Sequence, residues 1–258
     1  MGGSNLFHRS LRRSGALDLI HAGIDRFNEA TGSERYEPPT DLPEFRAVQR
    51  RARRYTDTSD HLERLFVEAL QADPETVVEL GVRGGESTFV FERVARLADA
   101  DLVSVDVDPT TYDGDYDRWR FVQSDDVAFA ERFADWSAEH GVDPAIDVLF
   151  VDTSHEYEHT VAEIEAWFPH LAEDAVVLFH DTNMRRVYRR ADGTVGLSRR
   201  ADRGVIRALE TYFSCAFDET ESFVTVRDGF VFEQRPYCSG LAVLRKLPGD
   251  VAENYPDL

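Results

Sequence analysis

The chain has 258 residues, 49 of them acidic and 29 basic, for a formal net charge of −20. That length suits one α/β domain with an extension and is ample for a substantial buried core. The acidic surplus argues against general nucleic-acid binding. No run of about 18 apolar residues offers a membrane span, and no charged-plus-apolar leader suggests secretion, so the expected location is cytoplasmic.

The first 60 or so residues carry no strand pattern. Residues 17–27 have helical periodicity, and Glu37-Pro-Pro-Thr-Asp-Leu-Pro43 is a stiff connector. Arg46–Arg54 holds the one basic cluster, read as a solvated helix face that pairs with the acidic protein rather than as a nucleic-acid contact. Residues 61–70 form a helix ahead of the first strand. From Thr76 onward strands and helices alternate. Strands are predicted at 76–80, 102–106, 120–123, 146–151 and 175–179, with helices at 87–97, 128–140, 158–168 and 204–212. Two last strands, 223–226 and 240–244, are joined by a long turn containing Asp228-Gly229. The expectation is an α/β fold, Rossmann-like, with a mostly parallel seven-stranded sheet, an antiparallel C-terminal hairpin and helices on both faces. Cys215 and Cys238 are too few for a disulfide framework and lack metal-site spacing. Cys215, inside an apolar run, is read as a buried free thiol.

Ligands on such a sheet bind beyond the C-terminal strand ends, where the informative polar residues fall. The first strand ends in Thr76-Val-Val-Glu-Leu-Gly-Val-Arg-Gly-Gly-Glu-Ser87. A buried strand, a glycine turn and a helix start leave backbone N–H groups free for a ligand. The dinucleotide fingerprint Gly-x-Gly-x-x-Gly is not met, because Arg83 stands where its second glycine belongs. The second strand closes with Asp106, placed to accept hydrogen bonds from ribose hydroxyls; Asp108 is the alternative, or a turn cap before Pro109. After the third strand comes Gln123-Ser-Asp-Asp126. Ser124 and Asp125 are placed to meet a base edge, while Asp125 or Asp126 also suits a helix N-cap.

Three further motifs follow in order: Phe150-x-Asp152-x-x-His155-x-Tyr157, Trp167-x-Pro169-x-Leu171, and an apolar run ending in His180-Asp181. With the glycine loop, they make residues 70–245 resemble class I S-adenosylmethionine-dependent methyltransferases. The similarity is to the branch with cephalosporin-hydroxylase-like proteins and macrolide-sugar O-methyltransferases. The resemblance implies a helical extension over 1–70 and a cofactor-binding domain over 71–258. It implies S-adenosylmethionine contacts from Glu79, Gly81, Gly85, Ser87, Asp106, Ser124, Asp125 and Asp152. It also implies His155 as the catalytic base beside Asp152, and a divalent cation, Mg²⁺ or Mn²⁺, on Asp152, Asp181 and a neighbour of the latter. That neighbour is His180 or Thr182 where relatives offer Glu or Asn. An imidazole with an ordinary pKa near 6.5 suits deprotonation of an alcohol at neutral pH. His159 and His170 are read as solvent-facing or packing residues, and Tyr157 as a pocket wall or as packing beneath the loop.

The implied function is methylation of a small-molecule or sugar hydroxyl, with no nucleic-acid or membrane partner and with homo-oligomerisation left open. The alternatives are a silent cofactor-binding scaffold and an NAD(P)-dependent oxidoreductase, which Arg83 and the antiparallel final pair disfavour. The N-terminal extension and residues 183–203 and 230–239 are expected to shape the acceptor side. The arginines between Met184 and Arg200 suit either an anionic acceptor or a salt-paired surface lid.

Lys246 is the only lysine. Acid surplus with arginine replacing lysine matches adaptation to a salt-rich cytoplasm, where at about 1 M salt the Debye length is about 3 Å and self-repulsion is screened. A thermal melt should therefore gain stability between low salt and about 2 M KCl; a melting temperature unchanged across that range would rule this out.

Overall fold

The computed structural model describes residues 16–34, 36–198 and 200–249. Residues 1–15 of the expected extension, and Arg199 of the arginine-rich segment, lie outside the described residues. Among the described residues three helices come first: α1 (Ala16–Thr31), α2 (Pro43–Ala52) and α3 (Leu62–Gln71). The alternating part follows with β1 (Thr76–Leu80), α4 (Thr88–Ala98), β2 (Asp101–Asp106), β3 (Trp119–Gln123), α5 (Asp126–Ala130), α6 (Phe133–His140), β4 (Ile146–Val151), α7 (Tyr157–Trp167) and β5 (Leu171–His180). A short pair, β6 (Val187–Arg189) and β7 (Val195–Leu197), precedes α8 (Gly204–Tyr212) and the last strands β8 (Phe223–Arg227), β9 (Phe230–Arg235) and β10 (Leu241–Lys246).

The main sheet runs β3-β2-β1-β4-β5-β10-β9-β8. The first five strands are mutually parallel, whereas β10 is antiparallel to β5 and to β9, and β9 is antiparallel to β8. The order steps outward from β1 in both directions, so the crevice beside β1 and β4 is the switch point where such sheets hold ligands.

The mostly parallel Rossmann-like arrangement is as the sequence implies, but the sheet has eight strands, not seven. The difference lies at Asp228-Gly229. Both residues have positive φ, 46° and 77°, as a two-residue type I′ hairpin turn requires. The turn therefore joins β8 directly to β9, and Phe230–Arg235 is a strand of its own rather than loop. A second difference is the helix expected over 128–140, which is split in two. The break at Arg132, with φ −117°, lets both Phe129 and Phe133 reach the Trp167 ring, at 6.1 and 5.2 Å between centroids.

Strand alternation divides the core into two layers. Val78, Leu80, Val103, Val105, Leu149 and Val151 face α5–α8 with Phe129, Phe133, Trp167, Ile206 and Leu209. Val77, Leu102, Val148, Phe150 and Leu178 face α2, α3 and α4 with Val48, Leu65, Phe66 and Phe91. Burial on both sides explains why β1 and β4 read as near-continuous apolar runs. The basic helix α2 and its C-cap are salt-paired: Arg51 makes two bonds to Glu86 at 2.8 and 2.9 Å, and Arg53, just past the helix, two to Glu37 at 2.6 and 2.7 Å. Lys246 ends β10 with its ammonium on the Leu171 and Ala172 carbonyls, at 3.4 and 3.0 Å. Both cysteines are free, but the fully buried one is Cys238; Cys215 is only partly buried, because the chain turns outward after α8. Among the described residues no helix is long and apolar enough to cross a membrane.

Gly81, first residue after β1, has φ +88°, and a Cβ there would stand 2.1 Å from the Asp152 carbonyl oxygen. The β1 and β4 ends can approach only without a side chain at this point. Gly81→Ala should lower the unfolding free energy by at least about 1–3 kcal/mol, read from urea denaturation. An unchanged midpoint would show that the crossing relaxes freely.

Candidate active site

The glycine loop is shaped from beneath. Glu79 is fully buried and accepts three hydroxyl bonds, from Ser87 at 2.6 Å, Thr88 at 2.8 Å and Ser104 at 2.7 Å. Burial pushes its carboxyl up to about 7, against the pull of those donors. Glu79 and Ser87 thus bond to each other under the loop, rather than lying on the cleft surface. Gly85, φ +75°, sits against the Tyr112 ring, which a Cβ would meet at 2.3 Å. Its role in the fold is to admit that ring.

A cavity of about 310 Å³ opens beyond the ends of β1, β2, β3 and β4. Gly81, Asp106, Ser124, Asp125 and Asp152 line it, together with Arg83, Asp126, Thr153 and His159. The Asp106 carboxylate accepts from the Val82 and Arg83 N–H groups at 2.8 and 3.1 Å and from the Asp108 N–H at 2.9 Å. It therefore tethers the glycine loop to β2. Asp108 lines the same cavity one turn further out. Asp125 caps α5, accepting from the Ala128 N–H at 2.9 Å, and still borders the cavity.

Next to this cavity, the ends of β4 and β5 bring Asp152, His155, His180 and Asp181 together. His155 Nε2 lies 3.2 Å from Asp181 Oδ2, and its Nδ1 lies 3.9 Å from Asp152 Oδ1. His155 and Asp181 both adopt left-handed backbone, with φ 61° and 59°. Such outliers are stored where surrounding structure fixes them, and cluster at functional sites. The fixing element at His155 is the start of α8: a Cβ on Gly204 would stand 2.1 Å from the His155 carbonyl oxygen. Tyr157 packs toward the same helix, its hydroxyl 3.1 Å from Thr211 Oγ1 and its ring under the Arg207 guanidinium.

His180 is buried under the pair. Its Nδ1 is 3.2 Å from Asp152 Oδ1 and 3.5 Å from Asp181 Oδ2. Its Nε2 faces the backbone carbonyls of Asp57 and Cys238 at 3.2 and 3.3 Å. Every neighbour of the ring is an acceptor, so the imidazolium form satisfies all of them. Burial disfavours that charge, but the Asp181 and Asp152 carboxylates outweigh it and raise the His180 pKa well above 6.5. Burial would likewise raise Asp152, yet His180, helped by His155 and Arg83, holds it down at about 2. His61, whose ring stands edge-on to His180 at 5.5 Å, is driven by burial and by that charge down to about 3.

A second cluster, Asp126, His159 and Glu163, lies on the other wall of the cavity. His159 is therefore a partner of two carboxylates rather than a solvent-facing or packing residue. Its spacing of four from Glu163 was the available signal, since i and i+4 share a helix face. Asp57, His61 and Arg83 also join the site; the first two come from a segment with no strand pattern, so nothing local marks them.

Comparison with known proteins fits this geometry. Residues 78–182, from β1 to just past β5, match the family described as Methyltransferase domain. Over that span, less than half of the chain, the protein is similar to methyltransferase domains. Its architecture is Rossmann-like. The methyltransferase MycE from the mycinamycin biosynthetic pathway, solved in complex with Mg and SAH, has 18% identity and a TM-score of 0.50, over 81% of this chain and 55% of MycE. CalS11, a TDP-rhamnose 3′-O-methyltransferase of calicheamicin biosynthesis, has 16% identity and a TM-score of 0.46, over 82% of this chain and 96% of CalS11. An uncharacterized protein of Sinorhizobium fredii (strain NBRC 101917 / NGR234), y4gI, is 32% identical over 125 residues, 43% of this chain and 14% of that protein. The chain thus spans a small part of that curated relative and about half of MycE. At 18% identity the MycE likeness speaks for the fold alone.

The charge pattern fixes a pH response. His180 has a raised folded pKa, so its contribution is complete below about 6.5 and is lost as pH rises through the folded value. Asp152 has a depressed one, so its contribution is complete above about 4 and is lost as pH falls toward 2. His61, held neutral, costs stability as pH falls from 6.5 toward 3. His180→Ala should cost roughly 3–5 kcal/mol at pH 6, because it strands a buried carboxylate. It should also flatten the decline of stability above pH 6.5. Urea titrations across pH 5–9 read both, and an unchanged alkaline slope would refute the charged His180.

Proposed function

We propose that this chain is an S-adenosylmethionine-dependent O-methyltransferase acting on a small-molecule or sugar hydroxyl, with His155 as general base. The observation that carries the reading is the His155–Asp181 contact beside a cavity lined by Gly81, Asp106 and Ser124. Asp181 next to Nε2 favours the tautomer with the proton there, which leaves the Nδ1 lone pair to accept a proton. When bound, S-adenosylmethionine would supply a methyl group on a sulfonium, leaving as a neutral thioether. His155 would take the acceptor O–H proton as the oxygen gains the methyl group, with Asp181 and Asp152 beside the resulting imidazolium. Proximity of oxygen and methyl supplies much of the rate. In this reading Gly81, Ser124, Asp125 and Asp106 meet the cofactor, while Glu79, Ser87 and Gly85 hold the loop that faces it.

The donors also fit a divalent cation. One donor atom each from Asp152, His155 and Asp181 lies within 4.8 Å of the others, whereas His180, expected as a ligand, has no lone pair to offer as an imidazolium. A nitrogen donor in the set favours Mn²⁺ over Mg²⁺. A bound ion would act as a Lewis acid toward the acceptor oxygen.

His155→Ala should lower kcat by roughly 10²–10⁴ fold with S-adenosylhomocysteine affinity nearly intact. An acceptor found by screening sugars, phenols and hydroxy acids with labelled methyl donor makes the assay available. Wild-type turnover in the variant across pH 6–9 would remove His155 from the chemistry. Asp106→Ala should weaken S-adenosylhomocysteine by about 1–3 kcal/mol in calorimetry, and loss in Asp108→Ala instead would move the ribose contact. For the cation, Mn²⁺ should bind the chelated protein and raise its activity, and the Asp181→Asn variant should lose both effects. Full activity after exhaustive chelation would leave His155 to act alone.

A further inference from the structure

The cluster on the far wall of the cavity carries its own chemistry. Asp126 opens α5, while His159 and Glu163 lie four residues apart on α7 and so share one helix face. His159 Nε2 is 3.1 Å from Asp126 Oδ1 and 3.5 Å from Glu163 Oε1. One donor atom from each residue lies within 4.8 Å of the others. Glu163 is 1% exposed, and its Oε2 is buried with no hydrogen-bond partner. Its other oxygen accepts from Thr153 Oγ1 at 2.5 Å, which fixes the carboxylate in place. Two buried carboxylates and one imidazole thus converge beside the orphaned oxygen, a donor set that would suit a cation in place of the proton that burial and Asp126 favour on Glu163.

The distances define the size of the missing partner. Ligands bound to Zn²⁺ at about 2.0–2.2 Å in a tetrahedral array stand about 3.3 Å from one another. The two observed separations from His159 bracket that value. The donors, one imidazole nitrogen and two carboxylate oxygens, belong to the set zinc accepts. We propose that Asp126, His159 and Glu163 form a zinc-type site that ties α5 to α7, separate from the Asp152–Asp181 cluster. Asp126 and His159 line the cavity and Glu163 does not, so the remaining coordination position faces the cleft and takes water or an incoming ligand atom. The site is independent of methyl transfer and stands or falls without it.

Co²⁺ titration of the metal-stripped full chain tests this, since tetrahedral Co²⁺ gives intense visible absorption. Wild type and Asp181→Asn should both give the tetrahedral band, and Zn²⁺ should displace it. Glu163→Gln and His159→Gln should lose it, with at least tenfold weaker Zn²⁺ binding at this site. Zn²⁺ should also raise the melting temperature of Asp181→Asn but not of the double variant Asp181→Asn/Glu163→Gln. Glu163→Gln preserves shape and lets its amide donate to Asp126, so it should fold in EDTA at least as stably as wild type; His159→Gln serves if it does not. No tetrahedral band in wild type, or the same band in both cluster variants, would overturn the proposal. The first result would leave Glu163 sharing a proton with Asp126.

Discussion

Four chain segments meet at the His180 imidazolium. Its Nδ1 faces Asp152 and Asp181, at the ends of β4 and β5, and its Nε2 faces carbonyls of Asp57 and Cys238. A charge buried this completely is tolerable only with opposite charges and hydrogen bonds on every side. Both halves of the ring must therefore be matched at once, which locks the segment before α3, the turn before β10 and the two strand ends into one arrangement. The left-handed backbone at His155 and Asp181 is sustained by that lock and by Gly204 pressing on the His155 carbonyl. The chemistry of the site depends on a residue that never faces the cavity.

The glycine loop is organised by the same logic with neutral groups. Glu79 collects three hydroxyl donors below it and Asp106 collects three N–H donors beside it. The loop thus has one carboxylate beneath and one at its flank, and its shape is set before any ligand arrives. Ligand hydroxyls reaching Asp106 must share a carboxylate already in use, so affinity there comes from its remaining lone pairs.

Most of the architecture was legible in the sequence. Parallel strands buried on both faces give unbroken apolar runs, and β1, β2, β4 and β5 fall where those runs are. Strand β9 is hidden because Phe230–Arg235 alternates only over a short span, and Asp228-Gly229 reads as part of a long turn rather than as a two-residue one. The strand-end carboxylates are recognisable from order and spacing, since each follows a predicted strand, whereas His155 stands out only through the family resemblance. The partnership of Glu79 with Ser87, Thr88 and Ser104 was not, because it joins three elements across the sheet. Asp57 and His61 were invisible for a like reason: their role comes from tertiary placement against β5 and the Cys238 turn, with no local pattern. His159 looked like a surface residue because its two acidic partners had no reason, in sequence, to be buried beside it.

The near-absence of lysine has a practical side. Guanidinium groups carry the salt pairing of this protein, and amine-directed reagents pass them by. The only ε-amine, on Lys246, sits at the end of β10 against the Leu171 and Ala172 carbonyls. An amine-directed dye would therefore report, apart from any terminal α-amine, on one defined corner of the sheet, where β5 begins and β10 ends. Its reactivity would measure how often that corner opens, since the ammonium must leave both carbonyls before it can react.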